Sequence, residues 1–136
     1  MSQPHVEIVR EALSRFSASD FEGTLELIDE DAVWEPSGQF VGSGGEYRGH
    51  QGIRRFWAAF TEPWEQIKLV PAETVALDEE RVLTDTHFRG VGRASRIPTE
   101  MHLVHLWTVR GNKITRFQSF ALNRRLSTQL ADDPRH

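Results

Sequence analysis

Apolar residues recur at helical spacing from the start of the chain. Val6, Val9, Leu13 and Phe16 form one stripe, with Glu7, Arg10, Glu11 and Ser14 lying off it. A first helix is therefore predicted there. Asp20 reads as the N-cap of a short second helix, with Glu22 in its first turn and Phe21, Leu25 and Ile28 as its buried face. The acidic run Asp29–Asp31 is expected to close that helix, and Ala32–Glu35 reads as a short strand stopped by Pro36. Five of the thirteen residues Ser37–Gly49 are glycine, the signature of a turned or moving loop. A third helix follows the Gly49–Gly52 stretch, because Ile53, Phe56, Trp57 and Phe60 again fall on one face, and Pro63 ends it.

The period then changes. Ile67–Leu77, Arg81–Val91, Glu100–Arg110 and Lys113–Leu122 are rich in β-branched and aromatic residues and are separated by turn signals. Gly111-Asn112, between Trp107–Arg110 and Ile114–Phe117, has the composition of a two-residue hairpin turn. Helices first and an antiparallel meander after predict an α+β fold, with three N-terminal helices packed on one face of the sheet.

Alternation splits each strand into two faces. Met101, Leu103, His105, Trp107 and Val109 share one face of the third long strand, and Leu83, Asp85, His87, Arg89 and Val91 share one face of the second. Both faces carry apolar residues, so both are expected to be covered, one by the helices and the other by a second copy in a homodimer. The set holding His87 and Arg89 is too polar for plain core, and a wet ligand cavity would supply its partners.

The 136 residues fit one domain, with a core over about 5–122 and a C-terminal tail over 123–136. There is no cysteine, which excludes disulfides, thiolate nucleophiles and cysteine-ligated metal. Sixteen basic against twenty acidic residues give a net charge of −4, which argues against nucleic acid or an anionic membrane as partner. The first residues lack a secretory apolar run, so a cytoplasmic protein is expected.

Four tryptophans in a chain this small suit the wall of a cavity for a flat or greasy molecule. Trp34, Tyr47, Trp57, Phe60 and Trp107 are the aromatic candidates, joined by His87 and Arg89. Glu35, at the end of its strand beneath the helices, is the candidate general base, its pKa raised by desolvation. His105 is the candidate donor or orienting partner. His102 and His105 fall on opposite faces, and the set Glu35, His87 and His105 has no diagnostic metal spacing, so neither metal nor cofactor is expected. The glycine-rich stretch Gly38–Gly49 is expected to act as a lid carrying Tyr47.

Three stretches carry a resemblance: Ala32-Val33-Trp34-Glu35-Pro36; Gly45-Glu46-Tyr47-Arg48-Gly49-His50-Gln51-Gly52-Ile53 running into Phe56-Trp57; and His105 through Ile114. Together with the element order, they resemble the SnoaL-like, polyketide cyclase-type branch of the nuclear transport factor 2-like superfamily. The resemblance implies a cone-shaped fold with a curved, mostly antiparallel sheet. That fold hosts isomerases, dehydratases, epoxide hydrolases, cyclases and non-catalytic binders. By the same resemblance, Glu35 falls at the general-base slot of the ketosteroid isomerase branch. His105 falls near its protonated carboxylic acid, and Phe16, or a neighbour in the first helix, near its oxyanion-hole tyrosine, which phenylalanine cannot replace as a donor. Limonene-epoxide hydrolases use an Asp–Arg–Asp set; Arg89 would stand for the arginine, but Ile114–Leu122 holds no aspartate. Two functions are implied: proton transfer on a small apolar substrate, with Glu35 as base and His105 or Arg89 stabilising negative charge, or non-catalytic binding of such a ligand.

Overall fold

The computed structural model describes residues 3–36 and 45–122. Helix α1 (Gln3–Ser17) buries Val6, Val9, Leu13 and Phe16, the stripe its spacing predicts, and Ala12 beside them. Helix α2 (Phe21–Leu25) is capped by Asp20, whose carboxylate accepts from the Gly23 N–H at 2.9 Å. Arg15 of α1 donates to the Gly23 carbonyl at 2.7 Å and so ties the two helices together.

Strand β1 (Ile28–Glu35) starts four residues earlier than expected. Ile28 belongs to it rather than to α2, because β6 (Lys113–Leu122) captures the chain there in a parallel pairing. Ile28 pairs with Ile114, and the Ile114 N–H donates to the Leu27 carbonyl at 2.9 Å. The acidic run does not close a helix. Asp29 accepts from the Asp31 N–H at 2.9 Å, a local turn, and the β1–β6 register shifts between Ile28 and Val33.

Strand β2 (Tyr47–Arg48) pairs antiparallel with β1, and α3 (Gly49–Thr61) follows, burying Ile53, Phe56, Trp57 and Phe60. His50 at its start donates to the Ile28 carbonyl at 2.8 Å and anchors the helix on β1. Three antiparallel strands then lead to β6: β3 (Trp64–Ala76), β4 (Arg81–Gly92) and β5 (Pro98–Arg110). The six-stranded sheet runs β2-β1-β6-β5-β4-β3. It is mostly antiparallel, and the three helices make the fold α+β. The β5–β6 turn has φ of +55° at Gly111 and +69° at Asn112, the two left-handed residues that a tight hairpin of this twist requires.

Directly opposed residues of neighbouring strands share a face. Val82 faces Trp107, Thr84 faces His105 and Thr86 faces Leu103, so these side chains lie together under the helices. On β6, Phe117 opposes Trp107 and Ser119 opposes His105. The outer face carries Leu83, Asp85, His87 and Arg89 of β4 with His102, Val104 and Leu106 of β5, at intermediate or full exposure. Covering of that face by a second copy stays a proposal. Residues 38–44, most of the expected lid, and the tail, 123–136, lie outside the described residues.

Candidate functional site

The helical face of the sheet and the three helices line a cavity of about 50 Å³. Its floor is Trp34 of β1, Phe117 and Ser119 of β6, and Leu103, His105 and Trp107 of β5. Its roof is Ala12, Leu13 and Phe16 of α1 with Phe56, Trp57 and Phe60 of α3; Thr24, Pro36 and Leu69 complete the sides. Each element contributes its apolar stripe, so the same pattern that builds the core also builds the wall.

The aromatic rings brace one another. Trp34 stacks on Phe117 at 4.3 Å and 14° and meets Trp107 and Trp57 edge-on at 6.1 and 6.3 Å. Phe16 leans on Trp57 at 5.4 Å and on Phe60 at 6.4 Å. Such tilted and offset pairs hold large rings in fixed orientations.

The polar groups divide into satisfied and unsatisfied. The Trp107 indole N–H donates to Thr84 Oγ1 at 2.9 Å, and the Thr24 hydroxyl donates to the Asp20 carbonyl at 2.8 Å. Trp34 Nε1 and His105 Nδ1 are buried without a hydrogen-bond partner among the described residues, as is Thr86 Oγ1 behind the wall. Both Trp34 and His105 are only 3% exposed. Burial pushes the His105 imidazole pKa down to about 3, because nothing replaces the water that would solvate its cation. His105 is therefore neutral at ordinary pH. No Asp, Glu, Lys or Arg lines the described wall. The site can pack rings, donate one indole N–H, and offer one neutral imidazole that both donates and accepts.

Five of the expected site residues line this cavity: Trp34, Trp57, Phe60, His105 and Trp107. Four do not. Glu35 is adjacent to Trp34 on an alternating strand and therefore points away from the cavity, where Arg116 Nε donates to it at 2.7 Å. Its desolvated position beneath the helices is thus not found. His87 and Arg89 lie on the outer face, because the register puts Thr84 and Thr86 beside His105, and Arg89 pairs with Glu100 at 3.2 Å. Tyr47 packs on Phe56 at 5.4 Å, outside the cavity wall. Sequence reasoning missed Phe117, Ser119 and Leu103 as wall residues. The cross-strand register carries that information. Among the described residues, no group of three or more histidine and carboxylate side chains is arranged to hold a metal.

Comparison with known proteins agrees with this architecture. The model of the SnoaL-like domain matches residues 9–117. TerC, co-crystallised with polyporic acid, is 24% identical, with 96% of this chain and 100% of that one covered and a TM-score of 0.80. A nuclear transport factor 2-like protein of Burkholderia xenovorans is 28% identical, with 93% and 95% covered and a TM-score of 0.75. A Mycobacterium tuberculosis protein in complex with estradiol-17β-hemisuccinate is 19% identical, with 90% and 96% covered and a TM-score of 0.74. No curated protein matches the sequence.

Proposed function

This chain belongs to the SnoaL-like domain family, and from that premise we propose that its cavity binds a small, neutral, ring-bearing molecule with one hydrogen-bonding oxygen. The observation that carries this reading is the pair of buried polar groups without partners among the described residues, Trp34 Nε1 and His105 Nδ1, in a largely apolar described wall that holds no charged side chain. An unsatisfied buried donor or acceptor costs about 1–3 kcal/mol, and a ligand oxygen placed against them recovers that cost. A charged ligand finds no counter-ion in the described wall, and its desolvation would go uncompensated. Polyporic acid in the TerC complex and estradiol-17β-hemisuccinate in the M. tuberculosis complex support the ring-bearing part of this class; both also carry an acidic group, for which the described wall here offers no counter-ion.

At about 50 Å³ the cavity is well below the ~150 Å³ of an apolar cavity that admits benzene. A ring enters only if the aromatic wall parts, which slows association below the rate of a preformed site. Trp34, Trp57 and Trp107 surround the space, so tryptophan emission reports occupancy directly. We expect quenching by members of a panel comprising cyclohexanone, a cyclic epoxide, 2-naphthol and a hydroxyanthraquinone. Ala12 is buried at the roof, and Ala12→Leu adds three carbons into the cavity. That variant is expected to stay within about 1–3 kcal/mol of the parent stability and to lose the emission response. An unchanged response in a folded Ala12→Leu would place the ligand elsewhere.

A catalytic version of this reading has one titratable side chain to work with in the described wall, His105, as proton donor or acceptor to the bound oxygen. Glu35 sits on the other face in an ion pair. Glu35→Gln is therefore expected to leave affinity within about twofold and to change stability by no more than about 1 kcal/mol, the range of a partly exposed ion pair. A large loss of binding or turnover in Glu35→Gln would show that the carboxylate reaches the ligand.

A further inference from the structure

The outer face of the sheet carries a second cluster, unrelated to the cavity. His87 of β4 and His102 of β5 are direct cross-strand partners. Their rings lie 4.1 Å apart between centroids at an angle of 66°. Asp85, two residues before His87, places Oδ1 3.1 Å from His102 Nδ1. A carboxylate there holds the proton on Nδ1, which leaves Nε2 of His102 as the nitrogen with a free lone pair. His87 makes no hydrogen bond with any described residue, so its ring is also free to ligate. We propose that His87 and His102 together chelate one divalent transition-metal ion of the zinc, nickel or copper class, with Asp85 as the positioning residue.

Three considerations support this site over a plain histidine contact. Opposed residues of an antiparallel pair have Cβ atoms about 4.5–5.5 Å apart, a span that lets two imidazoles reach one ion at bonds of about 2.0–2.1 Å. The carboxylate–histidine arrangement is the one that orients metal-bound imidazoles and raises their basicity. The surrounding charge also favours a cation. Glu73 of β3 is the cross-strand partner of Asp85, which brings a second carboxylate to the same rung. The nearest cation on β4, Arg89, is matched by Glu100 at 3.2 Å, and Lys68 stands opposite Arg89 on the far side. In the single chain, the His102 side chain is 39% and the Asp85 side chain 41% exposed.

With two protein ligands, water fills the other positions, so the site is weaker than a structural zinc centre. Imidazole donors select borderline ions and leave magnesium, which takes oxygen ligands, unbound.

Titration of the full chain with zinc chloride at pH 7.5, followed by calorimetry and by amide NMR, tests the proposal. We expect one saturable equivalent per chain, with amide shifts centred on His87 and His102, and no response to magnesium chloride. His87→Asn and His102→Asn should each weaken zinc binding at least tenfold. Asp85→Asn should weaken it by about tenfold with an unchanged melting temperature, which a merely structural aspartate would not do. All three asparagine variants sit on the outer face, and their tryptophan emission verifies folding. The proposal is overturned by absence of saturable zinc binding, by equal binding of magnesium, or by affinity retained in both histidine variants.

Discussion

His105→Leu is expected to raise stability by about 1 kcal/mol at pH 7.5, because it removes a buried imidazole nitrogen that has no partner. The difference should widen in acid. The folded-state pKa of His105 is depressed to about 3, while an unfolded histidine titrates near 6.5. Between those values the unfolded chain binds a proton that the folded chain refuses. Stability from this group is complete above pH 6.5 and falls as pH drops towards 3. By pH 5 the parent protein should have lost about 2 kcal/mol through His105 alone, and the leucine variant should lose none of that amount. Urea denaturation of both proteins at pH 7.5 and pH 5 gives the comparison. Parallel pH profiles would mean that His105 is solvated or partnered in solution. The same variant should bind the ligand at least tenfold more weakly, the loss of about one hydrogen bond, 1.4 kcal/mol. A gain in stability with a loss of affinity marks a residue kept for binding rather than for folding.

Trp34→Ala should have the largest cost of any change in the wall. Trp34 is stacked on Phe117 and meets both Trp57 and Trp107, so truncation removes the ring that the other three brace against. Burial and cavity effects together predict a loss of about 3–5 kcal/mol, a large part of the total stability of such a domain. Trp34→Phe separates the ring from its N–H. Since Nε1 has no partner in the unliganded protein, phenylalanine should cost far less stability than alanine. It should nevertheless weaken ligand binding by about tenfold, if the ligand oxygen accepts from that N–H. Chemical denaturation followed by far-ultraviolet circular dichroism measures the first effect without relying on tryptophan emission. Stability of Trp34→Ala within about 1 kcal/mol of the parent would mean that the stack on Phe117 contributes little.

The helices and the meander were legible because their periods are strong. Val6 to Phe16 and Ile53 to Phe60 could only be core-facing stripes, and Gly111-Asn112 could only be a tight turn. The start of β1 was not legible. Ile28 fits a helical face as well as a strand, and its pairing with Ile114, some eighty-six positions away, decides the matter. The site was half legible for a related reason. Alternation put His105 and Trp107 on the inner face, but it could not say which set of β4 joined them. The polar set with His87 and Arg89 suits a wet cavity. The described cavity wall carries no charged side chain, and the β4 residues beside it are Val82, Thr84 and Thr86. Counting back from the Gly111-Asn112 turn would also have missed the neighbour of His105. The turn pairs Arg110 with Lys113, and unbroken register puts Gln118 opposite His105. A shift between Thr108 and Val109 puts Ser119 there instead. Glu35 obeys the same single-residue alternation: its neighbour Trp34 faces in, so Glu35 faces out.

The imidazole nitrogens of His105 give the most direct test of the proposed site. Long-range proton–nitrogen NMR on nitrogen-15-labelled protein resolves both ring nitrogens and their protonation. In the free protein at pH 6, His105 should appear as a neutral imidazole. On saturation with whichever panel member quenches tryptophan emission most, the account predicts that the His105 ring nitrogens and the Trp34 indole N–H shift together, while His87 and His102 stay in place. A protonated His105 at pH 6, no quenching by any member, or ligand saturation that leaves both His105 and Trp34 unmoved would contradict it.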